Sequence, residues 1–205
     1  LEAAMLSPHF LFLVETPPEG AAPDDLTLTD HQMAARLSHL LWSSMPDDVL
    51  FAAADAGELQ TTEQVAAQVE RMLDDPRATA LFDNLADQWL LARKVDTIQP
   101  NPAVFTAFDN DLREAMADEV RYFLRSFVDG SRTIFDLVAS TDLFVNDILA
   151  DHYDLDPVGA EFVHLEAHNA PRGGILRQAG VLAANSHPYR TSPTRRGQWV
   201  LEKLL

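Results

Sequence analysis

The sequence contains no cysteine. That excludes disulfides, thiolate metal sites and covalent haem attachment by this chain's own residues, and it leaves the redox compartment open. No apolar run approaches the roughly 18 residues that a membrane span needs. Basic residues are scarce: 15 lysines and arginines stand against 32 aspartates and glutamates, for a formal net charge of −17 and a pI near 4.5. Binding to phosphates needs a net basic face, so nucleic acid is excluded as the main partner. A G-x-S-x-G elbow and a Walker loop are also missing.

What is present suffices for a core. Hydrophobic residues fill 47% of the 205 positions, enough for one ordinary domain or one and a half. The chain starts at Leu1 rather than methionine and ends on Leu204-Leu205 within a helical pattern that has no stop signal. Both ends predict a piece of a longer protein, and the lack of a signal peptide then says nothing about localisation.

Charge divides unevenly. From residue 171 onward the chain carries +5, and the remainder carries −22. A basic tail on an acidic body predicts docking on that body, or on something anionic.

Helical periodicity dominates the pattern. Leu1, Met5, Leu6, Phe10, Leu13 and Val14 form a stripe over residues 1 to 15, closed by Pro17 and Pro18. Thr29 with Gln32 and Thr61 with Gln64 are capping boxes, and Pro46-Asp47-Asp48 opens a helix between them. Asp75-Pro76 predicts a long helix through Leu81, Leu85 and Trp89, and Asn101-Pro102 predicts another through Phe105 and Phe108. The cleanest stripe is Leu112, Met116, Val120, Phe123 and Phe127. Two shorter helices follow, over 131–138 and 141–152, and only 161–165 has weak strand character. The fold class is all-α: an irregular multi-helix bundle with a C-terminal loop-helix segment. The domain division is residues 1–155, then a linker and the truncated start of a second domain over 156–205.

Most pairs that resemble reactive sites have plainer explanations. His164 and His168 are four apart, but HLEAH matches no zinc motif and nearby prolines oppose a helix, so no metal site is expected. Asp47/Asp48, Asp74/Asp75 and Asp109/Asp111 sit at helix starts or loops, where carboxylates suit the N-terminal dipole without catalysis. Trp42, Trp89 and Trp199 read as core aromatics rather than a cofactor stack.

That leaves His187, Arg190, Thr191, Ser192, Arg195, Arg196 and Trp199, in the last loop and helix. Ser192-Pro193 is a capping hydroxyl followed by a first-turn proline. Three arginines beside a histidine and two hydroxyls can bind a carboxylate or propionate bidentately. The favoured alternative pairs those arginines with the acidic body.

The stretches LSPHFLFLVE (6–15), LSHLLWSSMPDDVL (37–50), ADQWL (86–90), FVNDILADHY (144–153), RGG (172–174) and RTSP..RG.WVLE.LL (190–205) carry a resemblance. The chain resembles the helical domain of unknown function, and the start of the following domain, of large secreted planctomycetal-type cytochrome c-like proteins. The resemblance implies an extracytoplasmic setting and a haem-bearing domain on the same polypeptide as partner. Haem c is then expected in the flanking regions, and no cofactor within these residues. Arg190, Thr191, Ser192, Pro193, Arg196, Gly197 and Trp199 are the motif positions, and no catalytic role transfers to them. The expected function is a non-catalytic module that scaffolds the haem domain. The alternatives are part of a haem-dependent oxidoreductase, with its substrate pocket between the body and residues 172–205, and a protein-interaction domain.

Overall fold

The computed structural model describes residues 5–7, 27–90, 92–128, 131–166 and 174–205. The stripe over 1–15, His168 and the Arg172-Gly173 pair lie wholly or largely outside these residues. The chain divides into two compact units, Leu1–Ala80 and Leu81–Leu205.

In the first unit, α1 (Asp30–Trp42), α2 (Asp48–Asp55) and α3 (Thr62–Leu73) are followed by a 3-10 turn at Pro76–Ala78. Both capping boxes form, at Thr29/Gln32 and Thr61/Gln64, and Asp47 caps α2 by accepting from the Leu50 N–H. Leu37, Leu41, Leu50 and Met72 are buried, whereas Leu40 points to solvent. Trp42 is buried, and its indole N–H donates to the Met72 carbonyl at 2.9 Å. The Arg77 guanidinium lies 3.5 Å from that ring's centroid, and Arg71 grips Asp47 through two nitrogens at 2.8 and 3.1 Å.

The second unit is built around one helix. Its elements are α4 (Thr79–Gln88, whose first two residues precede the division), α5 (Ala92–Val95), α6 (Asn110–Arg125), α7 (Asp136–Ala139), β1 (Asp142–Val145), α8 (Asp147–His152) and β2 (Val163–Glu166). A 3-10 turn at Ile175–Arg177, α9 (Ala179–Ala184) and α10 (Pro193–Lys203) complete it. The α6 stripe is buried as its spacing predicts. Leu112 and Met116 lie in one cluster with Val145, Leu149 and Ala179. Val120 and Phe123 lie in another with Leu137, Ile175, Val181 and Trp199. Phe123 is 0% exposed, a position where truncation to alanine costs about 3–5 kcal/mol.

Helix α9 approaches α6 so closely that a Cβ on Gly180 would strike the Met116 carbonyl oxygen. Glu119, 1% exposed, is satisfied from the same direction. It accepts from the Tyr153 hydroxyl at 2.7 Å and from the Ala179 N–H at 3.1 Å. A buried carboxylate thus meets an orphan amide at the start of a helix.

Three helix expectations fail locally. At Asn101 the side chain accepts from the Ala103 N–H at 2.8 Å, an Asx turn that ends in turns rather than a helix. Over 131–138, turns precede a single helical turn, α7. Over 141–152, residues Asp142–Val145 form β1, and Asn146 then caps α8 through the Leu149 N–H. β1 pairs antiparallel with β2, which extends the weak strand signal at 161–165 to Glu166, in the register Asp142↔Glu166 to Val145↔Val163. Leu143 and Val145 face the core, so period two competed with the helical period there. The fold is mostly helical, as expected, with this one small ribbon among the described residues.

Asp142 anchors the ribbon. It accepts from Arg132 and Ser140, and His164 stands against its other oxygen. Burial pushes its carboxyl up, but these three partners outweigh that and hold it well below the usual carboxylate range. A carboxyl depressed in the folded state contributes stability above its unfolded pKa, and that stability is lost as pH falls through the folded value. Wild type should therefore lose urea resistance below about pH 4. Asp142→Asn should be less stable at neutral pH and lose proportionally less on acidification. Equal pH slopes for the two proteins would remove Asp142 from this role.

Candidate functional site

A cleft of about 610 Å³ opens in the second unit. The 94–108 segment, α6, His152 and the run from Ala179 to Arg196 line it. The volume falls in the range of small-molecule sites, and the walls are largely apolar, with Leu112, Met116 and Phe108 among them.

The sequence candidates split across this cleft. His187, Arg190, Thr191, Arg195 and Arg196 line it. Ser192 does not, because it is buried and caps α10 by accepting from the Arg195 N–H at 3.4 Å. Trp199 faces away into the core, 4% exposed, and lines a separate space of about 230 Å³ beside Val181 and Arg196. Residues 187–190 make a tight turn in which His187 N–H donates to the Arg190 carbonyl at 2.9 Å and the reverse bond measures 3.3 Å. The Asn101 N–H donates to the Pro188 carbonyl at 2.8 Å and ties this turn to the opposite wall.

The arginines do not pair as expected. Among the described residues, Arg190, Arg195 and Arg196 form no ion pair with a carboxylate. Arg195 donates to the Ser186 carbonyl at 3.1 Å, and Arg196 to the Ser186 hydroxyl at 3.4 Å. Both are drawn to the loop that α10 folds back on, and the body's aspartates are taken by other arginines: Asp87 by Arg121, Asp83 by Arg125, Asp142 by Arg132. The tail is nevertheless docked, since Ile175, Val181 and Trp199 share a cluster with Val120 and Phe123. Trp89 adds a tie, its indole N–H donating to the Lys203 carbonyl at 2.7 Å.

Several lining residues escaped the sequence reading. Val104 and Phe105 were assigned to a helix that does not form, and Lys94 and His152 gave no motif. The alternation Pro100-Asn101-Pro102 was the usable signal, because prolines at that spacing mark turns and loops. His164 lies elsewhere, stacked on Phe144 at 5.1 Å. Among the described residues no group of three or more His, Cys, Asp or Glu could hold a metal ion, and no helix is long and apolar enough to cross a membrane.

A family model described as a protein of unknown function (DUF1592) matches residues 28–155. That is more than half of the chain, and the chain belongs to this family. A second model, also a protein of unknown function (DUF1588), matches residues 172–205. No curated protein and no solved structure matches the chain.

Ser192→Ala removes the α10 cap and leaves the cleft's cations in place. It should lower stability by about 1 kcal/mol, read from urea denaturation. A change below about 0.3 kcal/mol would mean that Pro193 and core packing alone start the helix.

Proposed function

We propose that this member of the DUF1592 family, with the DUF1588 start that follows, is a helical module of a larger secreted cytochrome c-like protein. In this reading it is not catalytic on its own and scaffolds a haem-bearing domain on the same polypeptide. The location is extracytoplasmic, periplasmic or secreted. With no cysteine, the chain's residues do not fit a covalently attached haem, so the haem c belongs to the neighbouring region.

The observation that carries the reading is the joint core. Ile175, Val181 and Trp199 come from the DUF1588 match, while Val120, Phe123 and Leu137 come from the DUF1592 match, and they bury one another. Helix α10 is thereby held as a fixed strut, which supports a scaffolding role better than a tethered helix would. The second reading, a haem-dependent oxidoreductase, is favoured by the cleft between the 94–116 and 179–196 segments. It is weaker because the two serines nearby are otherwise engaged. Ser186 donates to the Leu182 carbonyl at 2.7 Å and Ser192 caps α10.

Absorption and redox spectra of the full-length polypeptide test the proposal. The expected result is a c-type haem spectrum whose potential shifts when Trp199→Ala loosens α10. A full-length protein without haem, or a potential indifferent to Trp199→Ala, contradicts the scaffold. Substrate turnover abolished by Arg190→Gln would favour the oxidoreductase instead.

A further inference from the structure

The second unit's cleft has a charge pattern opposite to that of the chain. Acidic residues make up 32 of 205 positions, so a lining of this size would hold about four by composition alone, yet among the described residues it holds none. It holds Lys94, Arg190, Arg195 and Arg196 instead, with His152 and His187 beside them. Four fixed cations without a carboxylate, over apolar walls, concentrate positive potential in one concave place.

Arginine pairing sharpens the contrast. Arg71, Arg77, Arg93, Arg121, Arg125 and Arg132 each have an aspartate within the ion-pair distance. Arg196 has none among the described residues. Its Nε is buried without a hydrogen-bond partner, and one Nη makes only the 3.4 Å bond to Ser186. A buried guanidinium nitrogen left unsatisfied costs free energy that a bound oxyanion would recover. The Arg190 guanidinium has no partner among the described residues either.

The remaining wall states what accompanies the anion. Val104 and Phe105 line the cleft and are 54% and 40% exposed, large apolar surfaces left in water beside the arginines. Phe108, Leu112 and Met116 continue that surface inward. A free inorganic anion would leave this area wet, and a neutral lipid would leave Arg196 unpaired.

We infer that the cleft binds an apolar carboxylate: a small organic anion whose head pairs with Arg196 and Arg190 and whose body lies on Phe105, Phe108, Leu112 and Met116. This site is independent of the scaffold reading, because all its residues belong to the second unit and none requires a haem.

Calorimetric titration of the chain with dodecanoate, 2-naphthoate, dodecanol and acetate tests it. At least one of the two apolar carboxylates should bind once per chain, and which of them binds distinguishes a chain-like body from a flat ring. Dodecanol and acetate should each bind at least tenfold more weakly than that carboxylate. Losing a charged hydrogen bond is worth roughly tenfold to a hundredfold in affinity, so Arg196→Gln should weaken the carboxylate by that factor and leave dodecanol unchanged. Arg196→Lys should fall between, since it keeps the charge and loses the fork. Arg190→Gln, at an exposed turn position whose side chain makes no hydrogen bond among the described residues, should weaken the carboxylate in the same direction. The inference is overturned if neither carboxylate saturates, if dodecanol binds as tightly as the carboxylate, or if both glutamine variants bind like wild type.

Discussion

Burial of the apolar face of α6 is the interaction on which residues 81–205 depend, because its two halves belong to two different clusters. Leu112 and Met116 hold the ribbon and α8, while Val120 and Phe123 hold α7, α9 and α10. One helix therefore fixes the distance between the cleft and the C-terminal strut. Gly180 and Glu119 make that coupling tight. The first lets the α9 backbone touch the Met116 carbonyl, and the second gives the buried Ala179 N–H a partner.

Charge then decides orientation rather than adhesion. Arg121 and Arg125 reach from α6 to Asp87 and Asp83 on α4, and Arg125 does so through two bonds of 2.6 and 2.7 Å. Such part-exposed pairs contribute little net stability, about 0–1 kcal/mol each, but they fix the angle at which two helices meet. Arg190, Arg195 and Arg196 carry no such pair among the described residues, and with Lys94 they make the cleft a concave basic place on an acidic chain. Tail docking by charge fails for the same reason. The body's aspartates have local partners already, and apolar burial holds the tail.

Helix starts were the most legible feature of the sequence, since a capping threonine with a glutamine three residues on is a local pattern with a local cause. The α6 stripe was legible for a similar reason: spacings of four and three survive any tertiary context. The ribbon was not, because Leu-Phe-Val in β1 becomes a strand only when Val163–Glu166 lies beside it, a pairing across about twenty residues that periodicity cannot see. The Asn101 turn was misread because asparagine before proline suits a helix cap and an Asx turn alike. Of the candidate site, the sequence located the three arginines, but it missed Lys94 and the apolar wall of Val104 and Phe105 that makes them a site. It also grouped Ser192 and Trp199 with residues that face the other way.

Hydrogen exchange over residues 175–203 tests the central claim most directly, because it separates the two forces that could hold the tail on α6. Apolar burial predicts protection that persists in molar salt and collapses in Trp199→Ala, since Trp199 is 4% exposed and ion pairs are screened within about 3 Å at 1 M salt. Protection that vanishes in salt yet survives Trp199→Ala would contradict the account and return the tail to electrostatic docking.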